Sequence, residues 1–175
     1  MNTRTRTAAR RMAAVALMLI AAFTQATAQQ GAPPVGCMDA ALRTQALTIK
    51  EHYQKQGFDL FRDAMFTMER DQQMPVILTL ERGQIYEVVF IAHPQFKSMM
   101  LRLFDGQDNN LKELEAVRNR DQPNYLIYTF TPTKTDNYLI MSSQNTKLRQ
   151  MCGAFFILKA DPKKAGNDVK HYTGG

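Results

Sequence analysis

The sequence predicts a mainly β domain: an antiparallel β-sandwich or jelly roll of about eight strands with one N-terminal α-helix packed on it. Three observations carry this. From Phe58 to Ala160 the apolar residues fall in short runs with a period of two. Turn-forming clusters separate the runs at regular spacing, with no helical stretch between them. Ahead of the runs, residues 37–56 repeat their apolar positions at three and four, the period of an amphipathic helix.

Taken in order, residues 1–28 read as a secretory signal peptide. Arg4, Arg6, Arg10 and Arg11 form a positive start without an acid, residues 12–23 an apolar run, and Ala26-Thr27-Ala28 a small-residue cleavage site. A membrane anchor is the alternative, but about a dozen apolar residues fall short of the roughly 20 a span needs. No transmembrane segment is then expected after cleavage. Cleavage removes those four arginines from a chain of 22 Lys+Arg and 16 Asp+Glu, so the net charge drops from +6 to about +2. The basic character sits mainly in the leader, and nucleic acid is not an expected partner, since that needs basic residues clustered on the folded domain.

Residues 29–36, with Pro33-Pro34, are an extended leader. Residues 37–160 form the folded domain, and residues 161–175 a flexible tail. In the helix, Met38, Leu42, Ala46, Ile49 and Tyr53 make the apolar stripe, and Ala40, Ala41, Leu42 and Ala46 favour helix. Gly57 suits the C′ position, with Lys50, His52 and Lys55 near the negative end of the helix dipole.

A first strand covers residues 58–68, with Leu60, Ala64, Phe66 and Met68 on one face, Phe61 and Met65 on the other, and Arg62 interrupting the pattern. Pro75 suits the start of the next, where Val76, Leu78 and Leu80 alternate with Ile77 and Thr79. Glu81-Arg82-Gly83-Gln84 reads as a tight hairpin, with Gly83 at positive φ. Residues 85–92 are apolar on both faces, marking a central strand covered on both sides. In residues 98–104, Met99, Leu101 and Leu103 oppose Met100, Arg102 and Phe104. Residues 111–117, 125–131, 138–143 and 151–160 complete the set, with a turn at 132–137 from which the next strand returns.

Cys37 and Cys152 lie near opposite ends of the domain. In an oxidising compartment, periplasmic or extracellular, an even pair is most simply a disulfide. A lipidated Cys37, after the loosely lipobox-like Pro34-Val35-Gly36, is the rival, but it lies too far past the apolar run.

Chemistry is sparse. Ser98, Ser142 and Ser143 sit in no nucleophile elbow, and His52, His93 and His171 fall on a helix, a strand end and the tail. No metalloprotease, redox or phosphate-loop motif occurs, so no catalytic residue, cofactor or metal is expected. Asp105, Asp108, Asn109 and Asn110 offer oxygen ligands of the kind calcium takes, yet Asp-Gly with Asn is ordinary turn composition. Met99, Met100, Met141 and Met151 fit core filling better than a soft-metal site or an adaptable surface. Arg118, Arg120, Lys134, Lys147 and Arg149 read as solvated loop cations.

The region 76–143 resembles the bacterial pre-peptidase C-terminal β-sandwich domain. The likeness lies in Leu78-Thr-Leu-Glu-Arg-Gly-Gln-Ile-Tyr86, Leu101-Arg-Leu-Phe-Asp-Gly106, and Tyr128-Thr-Phe-Thr-Pro132 followed by Asp136-Asn-Tyr-Leu139. The family pattern is a Leu-x-x-Gly-Gln-x-Tyr hairpin, a strand ending in Asp-x-x-Gly, and Phe-Thr-Pro leading to Gly-x-Tyr; Asp136 stands where that Gly is usual. The resemblance implies an accessory or binding module of exported proteins, sometimes calcium-carrying. The sequence therefore points to an exported, non-enzymatic module that recognises a protein or glycan at the cell envelope. A structural subunit of an envelope assembly, or a small hydrolase or hydrolase inhibitor, are the alternatives.

Overall fold

The computed structural model describes residues 37–164. The expected signal peptide (1–28), the leader (29–36) and the tail beyond residue 164, with His171, lie outside the described residues.

Among the described residues, one helix, α1 (Ala40–Lys55), precedes eight strands: β1 (Phe58–Glu69), β2 (Met74–Leu80), β3 (Tyr86–Ile91), β4 (Phe96–Phe104), β5 (Asn110–Val117), β6 (Tyr125–Phe130), β7 (Asp136–Thr146) and β8 (Gln150–Ala160). They form two four-stranded sheets, ordered β1-β8-β3-β6 and β2-β7-β4-β5, and every pairing is antiparallel. This is a jelly roll. Only β4 and β5 form a hairpin; every other connection passes from one sheet to the other.

That topology corrects two expectations. The Gly83 turn is not a hairpin, and the turn at 132–137 does not return its strand to the same sheet. Both cross between layers. Gly83 does adopt positive φ, at 74°. The two crossing turns hold each other: Gly83 N donates to Pro132 O at 2.8 Å and Arg82 N to Thr135 Oγ1 at 2.9 Å.

The alternation along each strand fills the space between the sheets. Leu80, Tyr86, Phe90, Met99, Leu101, Tyr138 and Phe155 are buried there. The two buried phenols keep a polar partner at the rim: Tyr86 Oη accepts from Glu81 N at 3.0 Å, and Tyr138 Oη donates to Lys134 O at 3.0 Å. β3 is buried along its whole length, as its two apolar faces predict. Its second face, Val89 and Ile91, lies under the helix with Phe58, Ala154, Phe156 and Leu158.

Leu42 and Ala46 carry the helix onto that face, with Ile49 and Tyr53 packed beside them. Full burial of a leucine contributes about 1.5–3 kcal/mol. The helix starts later than its apolar stripe predicts. Asp39 is the N-cap, its Oδ1 accepting from Leu42 N at 3.0 Å, which leaves Met38 outside and 84% exposed. Gly57 ends the helix at φ 88°.

β1 holds a further correction. Its register slips between Leu60 and Arg62, so Phe61 is an extra, bulged residue. The bulge swaps the faces. Phe58 packs in the helix layer while Phe66 and Met68 lie between the sheets, so Leu60 does not share their face as a bare alternation implies. Phe61 instead leans on the Tyr86 ring at 5.6 Å.

The Cys37–Cys152 disulfide forms, with a Cα–Cα distance of 5.6 Å, and ties the chain just before α1 to β8. The beginning of the expected tail is tethered rather than free: Asp161 N donates to Gly57 O at 2.8 Å, and Lys164 Nζ meets Asp59 at 2.9 Å. Among the described residues, no helix is long and apolar enough to cross a membrane.

Candidate functional site

A jelly roll gathers alternate turns at the same end of the sandwich. Here one end carries the β1–β2, β3–β4, β5–β6 and β7–β8 connections, and the other the β2–β3, β4–β5 and β6–β7 turns. The first end holds an open cleft of about 660 Å³, lined by Pro94, Phe96, Arg118, Asn119, Arg120, Gln122, Pro123 and Asn124.

Local chemistry fixes the walls. Proline breaks the strand at His93-Pro94, and the short turn that follows is closed by Phe96 N donating to His93 O at 2.9 Å. Gln144, 1% exposed, supports that turn from inside the sandwich. Its Oε1 accepts from His93 N at 2.7 Å, and its Nε2 donates to Cys152 O at 2.9 Å. The β5–β6 loop is clamped at both ends. Arg118 N donates to Lys97 O at 2.8 Å, and Ala92 N donates to Asn124 O at 2.8 Å. The Asn124 side chain adds a bond to Ala92 O at 2.8 Å and a reciprocal amide pair with Gln45 of α1, at 2.7 and 3.1 Å. Phe96, 2% exposed, is the apolar floor. The cleft thus offers two guanidinium groups and several amides on a frame held by hydrogen bonds from three directions.

The residues singled out in the sequence are dispersed. Arg118 and Arg120 line the cleft, and Lys147 and Arg149 flank the neighbouring turn, but Lys134 sits at the opposite end in an ion pair with Asp136 at 2.8 Å. Ser142 is buried between the sheets with its hydroxyl unpartnered, and Ser98 and Ser143 are half-buried on the sheet. His52 Nε2 meets Gln56 Nε2 at 3.1 Å on the helix, and His93 Nδ1 accepts from Gln95 N at 3.1 Å. Among the described residues no serine is hydrogen-bonded to a histidine.

The Asp105 carboxylate is occupied by its own turn. Its Oδ1 accepts from Gln107 N and Asn109 N, both at 2.9 Å, and the Asn109 amide reaches its other oxygen at 3.0 Å. The Asn109 bonds hold its pKa below the usual carboxylate value. Among the described residues, no group of three or more His, Cys, Asp or Glu side chains is placed to hold a metal ion. Met99 and Met151 fill the core; Met100 and Met141 are half-buried.

Sequence reasoning missed Glu87. It points from β3 toward the helix layer and is 6% exposed. One oxygen accepts from Thr129 Oγ1 at 2.8 Å; the other has no partner. Burial pushes its pKa up. Tyr53, packed into the same layer, is pushed up to about 12, by burial first and then by the Glu87 charge. The signal was a lone acid inside an apolar strand.

No protein-family model matches the chain, and no curated protein is similar to it in sequence. Among solved structures it is similar to PliG of Aeromonas hydrophila, a periplasmic lysozyme inhibitor of g-type lysozyme, at 12% identity over 56% of this chain and 84% of that one, with a TM-score of 0.41. It is also similar to a CBM4 structure, at 17% identity over 63% of this chain and 82% of that one, with a TM-score of 0.38.

Proposed function

We propose that this chain is an exported, non-enzymatic β-sandwich module that binds a protein or glycan at the bacterial cell envelope, with the ligand seated in the cleft beside the β5–β6 loop. The observation that carries this reading is the preformed cleft itself. Its size falls in the range of small-ligand sites, about 300–1,000 Å³. The loop backbone that carries its donors is clamped at both ends before any ligand arrives, which lowers the ordering cost of binding.

The disulfide supports a periplasmic or secreted location, because cytosolic thiols are kept reduced. The leader composition supports the same route, and the accessory role agrees with the resemblance to the pre-peptidase C-terminal domain. The dispersal of the serines and histidines supports a binding rather than a catalytic role.

Cross-linking with mass spectrometry in the native cell tests this, alongside a glycan array with the purified protein. The expected result is a reproducible partner or saccharide whose retention falls when Asn119 and Gln122 are replaced by alanine. Retention that is untouched by those changes would sink the cleft as the site. Mass spectrometry of the exported protein is expected to show a first residue near Gln29.

A further inference from the structure

The geometry points to an anionic polysaccharide as the ligand of this end, gripped by Arg118 and Arg120 in the cleft and followed across the neighbouring turns by Lys147, Arg149 and Arg70. This rests on the binding-module reading above and names its ligand class.

The argument starts from where the fold puts charge. Arg70, Arg118, Arg120, Lys147 and Arg149 are far apart in sequence, yet all lie on connections at the cleft end, and all are exposed. Two contacts link these connections. Arg70 Nη2 donates to Lys147 O at 2.9 Å, joining the β1–β2 and β7–β8 turns. Thr146, beside Lys147, pairs with Phe96 on the cleft floor. Glu69, Asp71 and Asp121 are the acids among them, and Asp71 accepts from Asn145 Nδ2 at 2.7 Å.

The two ends of the sandwich differ in how many of their cations are paired. At the far end Lys134 pairs with Asp136 at 2.8 Å, Lys159 with Glu81 at 2.7 Å, and Lys164 with Asp59 at 2.9 Å, while Arg82 and Lys163 form no ion pair among the described residues. At the cleft end none of the five cations forms an ion pair among the described residues. Positive charge left uncompensated around a cleft attracts an anion and speeds its arrival. Two guanidinium groups would suffice for a small anion. The row that continues to Arg149 and Arg70 fits a polymer carrying repeated carboxylates or phosphates.

The lining separates a saccharide from a nucleic acid. Asn119 and Gln122 supply amides that match hydroxyl groups. The cleft's only aromatic ring, Phe96, is buried, so it presents no platform on which bases could stack.

The test uses the exported protein with its disulfide intact. Four probes are compared by titration calorimetry at two salt concentrations: polygalacturonate, neutral dextran, a single-stranded oligonucleotide, and envelope protein extract. Two double variants carry the same change in net charge, Arg118→Glu/Arg120→Glu at the cleft and Arg82→Glu/Lys163→Glu at the far end. Unchanged melting temperatures establish that both fold. The expected result is polygalacturonate binding that weakens with salt, falls at least about tenfold in the cleft variant, and stays within about twofold in the far-end variant. Equal losses in both variants would overturn the inference, since net charge alone would then explain binding. Oligonucleotide binding as tight as polygalacturonate would overturn the saccharide assignment. Binding of dextran or an envelope protein without polygalacturonate would overturn the anionic class and leave the module reading standing. No binding by any probe would overturn both.

Discussion

Replacing Cys37 and Cys152 together by alanine removes the covalent tie between the start of α1 and β8. Alanine is the right replacement, because Cys37 is buried and a serine hydroxyl would bring its own penalty. The bond closes a loop with a sequence separation of 115. Chain entropy for a loop of that length gives on the order of 4–5 kcal/mol, and disulfides typically deliver about 2–4 kcal/mol. For a domain of this size about 1 kcal/mol moves the melting temperature by roughly 3–5 °C, so the double variant should melt on the order of 10 °C lower. Urea and thermal unfolding followed by circular dichroism measure this. Reductant should shift the parent protein toward the variant and leave the variant unmoved. A double variant within about 1 kcal/mol of the parent, with an unchanged urea slope, would refute the claim that this link constrains the unfolded chain.

Other perturbations follow from buried groups and turns. Glu87 keeps its proton to higher pH when folded, so its contribution to stability is present below the unfolded value of 4.5 and is lost as pH rises through the raised folded value. Glu87→Gln should abolish that slope and stabilise the protein by about 1 kcal/mol at neutral pH, while the bond from Thr129 survives; a retained slope in pH-dependent unfolding would count against it. Leu42→Ala empties a fully buried site under the helix and should cost about 2–5 kcal/mol by denaturant unfolding; a loss below about 1 kcal/mol would mean the helix is not firmly docked. Gly83→Ala meets no atom within 4 Å but must hold a φ of 74°, so it should cost about 1–2 kcal/mol, entirely from backbone strain. A neutral Gly83→Ala would show that the crossing turn has an alternative conformation.

Most of the fold was legible because burial imposes a period. Tyr86, Val88 and Phe90 against Val89 and Ile91 announced a strand covered on both faces, and so it is. Local turn chemistry was equally readable: Gly83 and Gly57 take the positive φ their positions demand. What could not be read was partnership. The residues around Gly83 prescribe a reversal of direction, but nothing in them says whether the next strand pairs with the last or crosses to the facing sheet; that depends on β7 and β8, many residues later. The Phe61 bulge was hinted at by Arg62 breaking the alternation, though the swap of faces depends on pairing with β8. The cleft was illegible for the same reason. Arg118 and Lys134 look alike in sequence, and only the topology sends them to opposite ends.

The place of β8 has a consequence for assembly in time. β1 has no neighbour in its sheet except β8, and β8 also separates β1 from β3. The first strand to leave the ribosome therefore waits for the last, and Phe66 and Met68 have no lasting shelter in the interval. Such long-range pairing slows folding and favours an all-or-none event. All four strands of the facing sheet have been made by residue 146, but the sheet that holds β1 and β3 closes only when β8, the last strand, has been made.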